Sequence, residues 1–411
     1  MTTTPTLATV SAPITPRRFW PHDLILGLLP LILIVQVGIW CVFLPQGELR
    51  GIADFRQLYT GGYMLRTGHA KELCNYDAQK RFEDALVPIH GDFMLPINHL
   101  PFEELLFVPL SRFSYRTAYW LFLALNGALL AVCIRLLKPN MKVLSNRWRW
   151  FPALLFAAFH PISRALLLGQ DSIILLTLLA GALWSLDHDR DLTAGLLLGM
   201  GVFKFQIVIP IALLFLMWRR WRVCAGFAVS GATAALISLW LIGFHGAREY
   251  ADTLLGMSVR LSSRADMLHY GTIPTAMFNL RGLATALLSG TLSRFSILFV
   301  IFACSVAVLV AAARQRTSLQ LAIMASSLVS YHLLCHDASI LIIPLAMALC
   351  SESVWRGAVA ALLLLAPFAA MIAQYGYLAA MPLLALFVLS VSSPDKPATA
   401  AGVCDVSEGQ N

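Results

Sequence analysis

Long apolar runs separated by short polar connections are the feature that most restricts how this chain can fold. A run of about 18 or more apolar residues can cross a membrane as a helix, and a somewhat shorter run can do so where the bilayer thins or neighbouring helices cover it. The sequence therefore predicts an all-α, polytopic membrane protein. The runs, about twelve in number, lie at 24–44, 116–137, 151–168, 172–186, 192–203, 205–218, 222–243, 293–313, 319–335, 338–350, 354–372 and 375–391.

The composition agrees with a lipid environment. Hydrophobic residues make up 58% of the 411 residues and charged residues 13%, whereas about 25% of the residues of a soluble protein are charged. The net charge of +8 does not indicate nucleic-acid binding, because the basic residues stand at the ends of apolar runs, as in RRWR at 219–222. That distribution is typical of loops retained on the cytoplasmic side. We expect the lipid bilayer, and no nucleic acid, as a partner.

The basic residues also predict an orientation. If Arg17 and Arg18 are inside, both termini are cytoplasmic, with tails at 1–23 and 392–411 around a membrane domain at 24–391. The second tail is rich in small and polar residues, and we expect it to be disordered. No small-residue cleavage site follows the first run, so we predict that this run is kept as a span. The connections then placed inside are 138–150, 187–191, 219–222, 314–318 and 351–356.

Two outer connections, 45–115 and 244–292, are long enough to fold over the membrane domain. Structureless loops of this length are unusual, so we predict helices within them, at 101–112 and 276–289, that lie at the interface or dip partway into the membrane. The cysteines are scattered without a CxxC pair, which argues against a zinc or disulfide framework. Cys74 and Cys335 are the pair that an oxidising compartment would be able to join.

Ionisable residues at membrane depth are costly and often mark function. Five such features fall at the predicted outer ends of spans, although they come from distant parts of the chain. They are Asp54, Arg164, GQD at 169–171, Lys204 and HLLCHD at 332–337. Their presence on one face predicts a polar site at that face.

Each of these residues also has an ordinary interpretation. Asp54 can be an interfacial acid. Arg164 and Lys204 can extend their side chains to the membrane boundary so that their charges reach water. His332 and His336, spaced four residues apart, would share one helix face; we favour polar substrate contacts over a metal there. The aromatic residues of 45–115 favour packing over a sugar-binding platform. The sequence contains no Walker loop, HExxH, GxSxG or dinucleotide fingerprint.

Residues from about 50 to 350 resemble the family 87 glycosyltransferases, the DUF2029 group of GT-C membrane enzymes. The similar segments are DFRQLYTGGYMLRTG with a following NYD, LPFEELLFVPLSRFSYRTAYWLFLALNGALL, LLLGQDSIILLTLLAGAL, AGLLLGMGVFKFQIVIPIALLFLMWRRWR and SYHLLCHDASILIIPLAMAL. The chain departs from the family pattern at NHLPFEE, at GQD in place of GQ-Asn, and at Phe205, where Pro is common.

The resemblance implies a GT-C fold and a hexosyl- or mannosyltransferase similar to the mycobacterial polyprenyl-phosphate-mannose-dependent enzymes. The expected partners are a polyprenyl-phosphate sugar as donor and a lipid or glycan acceptor, on the extracytoplasmic side of a bacterial plasma membrane. No cofactor and no metal site are expected. Two other classes stay open: a lipid or solute transporter or flippase, and a scaffold subunit with a degenerate site.

Site roles follow from this reading together with the chemistry of the side chains. We predict Asp54 as the general base of an inverting transfer. We predict that the donor phosphate is bound by Arg164, Lys204, His332 and His336. Further substrate contacts are predicted for Tyr59, His99, Gln170, Asp171 and Asp337.

Overall fold

The computed structural model describes residues 21–88, 94, 96–256, 273–373 and 375–392. All regular secondary structure within these residues is helical, which confirms the predicted all-α class. The α-helices are α1 (Pro21–Gln46), α2 (Phe55–Arg66), α3 (Tyr76–Leu86), α4 (Tyr115–Leu137), α5 (Lys142–Arg147), α6 (Phe151–Ala158), α7 (His160–Leu168), α8 (Ser172–Leu186), α9 (Asp191–Met200), α10 (Phe205–Met217), α11 (Trp221–Leu255), α12 (Leu280–Leu288), α13 (Arg294–Ala313), α14 (Leu319–Val329), α15 (Ile342–Cys350), α16 (Val354–Ala373) and α17 (Ala380–Ser392).

Six helical stretches of the described residues are long and apolar enough to cross a membrane, and a bent helix pair makes a possible seventh. The protein is therefore a multi-pass membrane protein, and the predicted number of about twelve spans is not confirmed. The six stretches are Asp23–Arg66, Tyr115–Arg147, Asp191–Met217, Trp221–Leu255, Arg294–Ala313 and Val354–Met371. Four shorter apolar helices accompany them: Ser172–Leu186, Leu319–Val329, Asp337–Cys350 and Gly376–Ser392.

Two predicted spans follow each other within one stretch. The runs 192–203 and 205–218 correspond to α9 and α10, which a single 3-10 turn, Gly201–Lys204, joins within Asp191–Met217. Lys204 therefore lies within a candidate span and not at the outer end of one. The sequence predicted two spans that meet at the outer side of the membrane near Lys204, whereas the structure has one candidate span, Asp191–Met217.

The bent pair consists of α6 and α7, which meet at an angle of 61°. Pro161 in the first turn of α7 supplies no backbone N–H, and Phe159 between the helices has extended backbone, so the hydrogen-bond ladder is interrupted. A broken helix in lipid needs partners for its freed polar groups. Helix α1 supplies one, because Gln36 Nε2 donates to the Ala158 carbonyl at 2.7 Å.

The main core is apolar and lies between the membrane helices, where α9 and α11 pack with their backbones nearly touching. A Cβ added at Gly195 would lie 2.1 Å from the Val223 carbonyl oxygen, and one at Gly226 would lie 2.3 Å from that of Leu192. Only glycine permits this approach. Lys204 is the last residue of the 3-10 turn that follows α9.

The first long connection contains helices α2 and α3 and several 3-10 turns. The predicted interfacial helix at 101–112 is replaced by two 3-10 segments, Pro101–Leu106 and Leu110–Arg112. Buried Arg56 ties α2 to α3 through Glu83, with 3.0 Å between Nη1 and Oε2. Asn75 accepts from the Ala78 N–H at the start of α3 and donates to Glu249 of α11.

The second long connection is shorter than predicted on its N-terminal side, because α11 continues through Leu255 after a break at Gly243. Its predicted helix at 276–289 is present as α12. Residues 257–272 lie outside the described residues, as do most of both predicted tails. Cys74 and Cys335 have free thiols and do not form a disulfide.

Candidate active site

Asp54 stands directly before the first residue of α2, with its side chain 15% exposed. The next residue, Phe55, fixes the position of Asp54, because the Phe55 ring is fully buried and stacks on Phe122 with 5.4 Å between ring centroids. Tyr115 and Tyr119 surround the same ring. The aromatic cluster fixes the backbone that carries the carboxylate and leaves the carboxylate itself accessible.

The turn after α7 brings an amide to Asp54. Gly169 has the left-handed φ of 62°, and a Cβ there would lie 2.7 Å from the Cβ of Phe55, so glycine is required for both reasons. The turn lies against α4, where Asn126 Nδ2 donates to the Gln170 carbonyl at 3.3 Å. Gln170 Nε2 then donates to Asp54 Oδ2 at 2.6 Å.

Lys204 sits between two carboxylates at the centre of the site. Its Nζ lies 2.8 Å from Asp171 Oδ1 and 2.7 Å from Asp337 Oδ1. All three side chains are at most 1% exposed. Such a buried group of charges is tolerated because each is paired. Lys204 therefore does not extend to water, and its charge is already shared between two acids.

His336 stands between Asp54 and this buried group. Its Nδ1 lies 4.0 Å from Asp54 Oδ2, and its Nε2 lies 3.6 Å from Asp337 Oδ2. The predicted shared helix face of His332 and His336 is wrong, because α14 ends at Val329 and both histidines lie in the following connection. They remain neighbours: both are buried and both are subject to the charge of Asp337.

Arg164 is the cation of the site that remains available. It is half-buried on α7, and no carboxylate of the described residues lies within salt-bridge distance of it. It is close enough to Glu48 and Cys335 for its charge to act on both. Cys335 directly precedes His336, which places Arg164 near the histidine side of Asp54.

His99 and Glu103 meet Asp171 on the opposite side from Lys204. The Nδ1 atom of His99 lies 2.8 Å from Glu103 Oε2 and 2.9 Å from Asp171 Oδ2. Burial lowers the pKa of His99, but the charges of Asp171 and Glu103 outweigh burial and raise it to about 10. Burial and the charge of Asp171 raise the pKa of Glu103 to about 8. Sequence reasoning missed Glu103, although an acidic pair in an apolar connection was a usable signal.

A small cavity borders Asp54 on the side of α2 and α3. Sequence reasoning missed its two buried charged residues, Arg56 and Glu83, which form an ion pair with each other between α2 and α3. Burial raises the pKa of Glu83 to about 7, and the charge of Arg56 opposes this shift. The lining residues are Gly51, Ile52, Ala53, Asp54, Arg56, Gln57 and Glu83.

The remaining predicted site residue, Tyr59, is not part of this polar group. Its hydroxyl donates to the Phe113 carbonyl at 2.8 Å, and its ring belongs to the aromatic cluster around Phe55. The structure thus brings together Asp54 with the residues of the two predicted polar motifs and with Lys204. Tyr59 lies outside this polar group, in the aromatic cluster around Phe55, and Arg164 lies near its His336 side.

A model of glycosyltransferase family 87 matches residues 100–344, which is more than half of the chain. The chain belongs to glycosyltransferase family 87. Searches of curated proteins and of solved structures gave no match. Membership of this family, with the helices described above, makes the protein a membrane glycosyltransferase that acts on a sugar donor and an acceptor.

The region that matches glycosyltransferase family 87 contains most of the polar site but not Asp54, which precedes it. The role of Asp54 therefore depends on its geometry and on the sequence motif around it. The site residues within the matched region are Gln170, Asp171, Lys204, His336 and Asp337, together with Arg164 and His332.

Proposed function

We propose that this glycosyltransferase moves a hexosyl or mannosyl group from a polyprenyl phosphate to a hydroxyl of a lipid or glycan acceptor. The proposed location is the extracytoplasmic side of a bacterial plasma membrane. The observation that supports the proposal best is the arrangement of Asp54: a partly exposed carboxylate held by one neutral donor, Gln170, at the edge of a buried charged group. A carboxylate so placed can accept a proton from a bound hydroxyl.

In the proposed step, Asp54 takes the proton of the acceptor hydroxyl as its oxygen attacks the anomeric carbon. The bond from that carbon to the phosphate oxygen breaks, and its electron pair stays on the lipid phosphate. A single displacement needs one base and inverts the configuration of the anomeric carbon. Gln170 directs Asp54 through the hydrogen bond to Oδ2, which leaves Oδ1 to receive the proton.

The leaving phosphate gains negative charge, so cations around it would stabilise the transition state. Arg164 is best suited for direct contact, because it has no carboxylate partner within the described residues and can bind phosphate with two N–H groups. His332 and His336 add donors beside it. We propose that Lys204 acts through its charge, since Asp171 and Asp337 hold its ammonium group. No metal ion is needed at the phosphate in this scheme.

The acceptor would enter from the other side of Asp54. The small cavity there places Arg56, Gln57 and Glu83 beside the carboxylate, and polar groups of this kind can contact the edge of a sugar or polyol bound outside the cavity. On the buried side, Asp171, Asp337 and His99 would support the substrates by holding the ionised network in place. Tyr59 would support the backbone that carries Asp54.

The experiment is a transfer assay with purified protein in proteoliposomes, using a radiolabelled polyprenyl-phosphate mannose or glucose and a lipid extract as acceptor. We expect a new glycosidic bond with this donor and none with the matching nucleotide sugar. Arg164→Ala should lower turnover by about 10²–10³, the loss typical when one transition-state donor is removed. Arg314→Ala, an exposed arginine at the end of α13, is the matched control and should keep turnover.

The outcomes separate the possible functions. Movement of labelled substrate across the vesicle membrane without a new glycosidic bond would favour a transporter. A protein that binds partner enzymes but makes no bond with either donor would favour a scaffold subunit. Equal turnover by wild type and Arg164→Ala would remove the phosphate-binding role.

A further inference from the structure

His99, Glu103 and Asp171 form a compact group where the first long connection meets the turn between α7 and α8. One ligand atom from each residue lies within 4.8 Å of the others. His99 is 8% exposed, and both acids are fully buried. We propose that these three residues bind a divalent metal ion of the Zn²⁺ or Mn²⁺ type, which fastens this connection to the membrane helices.

The first argument is that the polar atoms converge without satisfying one another. His99 Nδ1, both carboxylate oxygens of Glu103 and Asp171 Oδ2 are buried and have no hydrogen bond of good geometry, while Asp171 Oδ1 is held by Lys204. Buried polar atoms without hydrogen bonds are costly and rare in native proteins, and an ion is one of the usual reasons for them. A cation between the three side chains would give one atom of each a strong partner.

The second argument is the chemistry of the ligand atoms. One imidazole nitrogen and two carboxylate oxygens suit Zn²⁺ and Mn²⁺. Ligands at about 2.1 Å from a tetrahedral ion are about 3.4 Å apart. The present separations of 2.8 and 2.9 Å from His99 Nδ1 to the two acids would have to increase by about half an ångström. A side-chain adjustment of this size needs no change of backbone.

The third argument is the way in which Asp171 is held. Lys204 contacts its Oδ1, while Oδ2 faces His99. A ligating carboxylate whose second oxygen is held by a neighbour is the usual arrangement in metal sites. With His99 neutral, two carboxylates balance the charge of one divalent ion, so the site adds no uncompensated charge to the buried group around Lys204.

The ion would not touch the reacting atoms. Asp54 makes no direct contact with these three residues; it is connected to them through Gln170, the residue before Asp171, and through His336, Asp337 and Lys204. The ion would therefore fix the position of the connection and of the Gln170 turn, and the transfer step would still need no metal at the phosphate. This inference goes beyond the proposed function and revises the expectation from sequence that the chain has no metal site. The rival occupant is a proton shared between Glu103 and Asp171.

The test measures metal bound to the full-length protein purified in detergent. The protein is stripped with a chelator, dialysed against micromolar ZnCl₂ or, separately, MnCl₂, and analysed by mass spectrometry of its metal content. We expect about one ion per chain for the wild type, and at least tenfold weaker binding for His99→Ala and Glu103→Gln. Glu104→Gln is the matched control: it changes an adjacent, equally buried acid outside the group and should keep the ion.

A second measurement covers variants that fail to fold. Wild-type protein loaded with Co²⁺ should show visible absorption bands of a bound ion, and no variant is needed for this result. Wild type that retains no ion with either metal would overturn the proposal and assign the group to a shared proton. So would unchanged binding by both variants. Asp54→Asn should keep the ion, so a failure of the transfer hypothesis would leave this result intact.

Discussion

Asp54 and Lys204 lie at two ends of one polar group, and their surroundings differ. The Asp54 side chain is 15% exposed and is held by a neutral amide, whereas Lys204 is 1% exposed and is held by two carboxylates. Ion pairs confine Lys204, while a single amide hydrogen bond leaves Asp54 partly open. We infer that the two ends have different roles. Asp54 contacts the substrate, and the buried charges around Lys204 hold the site in position.

The largest effect should come from removing the charge at the open end. Asp54→Asn keeps the shape of the side chain but cannot accept a proton, so turnover should fall by about 10²–10⁴. Because Asp54 is partly exposed, the melting temperature should change little. The assay is sugar transfer in proteoliposomes, with Asp77→Asn, an exposed acid of the same connection, as the control. Near-normal transfer by Asp54→Asn would remove Asp54 as the base.

The buried end should respond through stability. Lys204→Met leaves Asp171 and Asp337 without their shared cation, and breaking a buried pair by removing one partner costs about 3–5 kcal/mol. The double variant Lys204→Met/Asp337→Asn should recover part of this loss, because one uncompensated charge is removed. Thermal unfolding in detergent measures both. A Lys204→Met protein as stable as wild type would show that the two ends do not differ in the way described.

The smallest effect concerns Glu83, a buried acid on the open side. Burial raises its pKa from 4.5 to about 7 despite the charge of Arg56. The folded state therefore holds its proton more tightly than the unfolded state, so this contribution to stability is full below about pH 4.5 and is lost as the pH rises through about 7. Glu83→Gln should flatten the pH dependence of the melting temperature in this window, by about 5 °C or less.

The control for this measurement is Glu72→Gln, an exposed acid of the same connection, whose pH profile should follow that of wild type. An unchanged profile for Glu83→Gln would show that Glu83 is ionised at all these pH values. Asp54 would then share its side of the site with a charged acid, and the open end would resemble the buried end more closely.

The positions of the apolar helices were predictable because hydropathy is a local property of the chain. The run 172–186 coincides with α8, Ser172–Leu186. The positions at which helices bend or continue were less predictable, since they depend on contacts with distant parts of the chain. The bend after α6 is stabilised by Gln36 from α1, and α9 continues into α10 although a lysine separates them.

Part of the site was predictable for a similar reason. Ionisable residues in apolar surroundings are conspicuous, and the structure brings Asp54, Asp171 and Asp337 near one another. Their partners were not predictable, because pairing depends on contacts between distant parts of the chain. Glu83 lies in a charged helix where acids are unremarkable, and only the fold shows that it is buried.

The hydrogen bond from Gln36 to Ala158 also has a consequence for how the protein is made. A chain is synthesised from its N-terminus, and N-terminal parts fold first. Helix α1 is therefore already in the bilayer when residues 151–168 leave the ribosome, with an amide at the level where the bent segment exposes a carbonyl. Helix α1 would thus provide a hydrogen-bond donor that lets the later, broken pair α6 and α7 enter lipid.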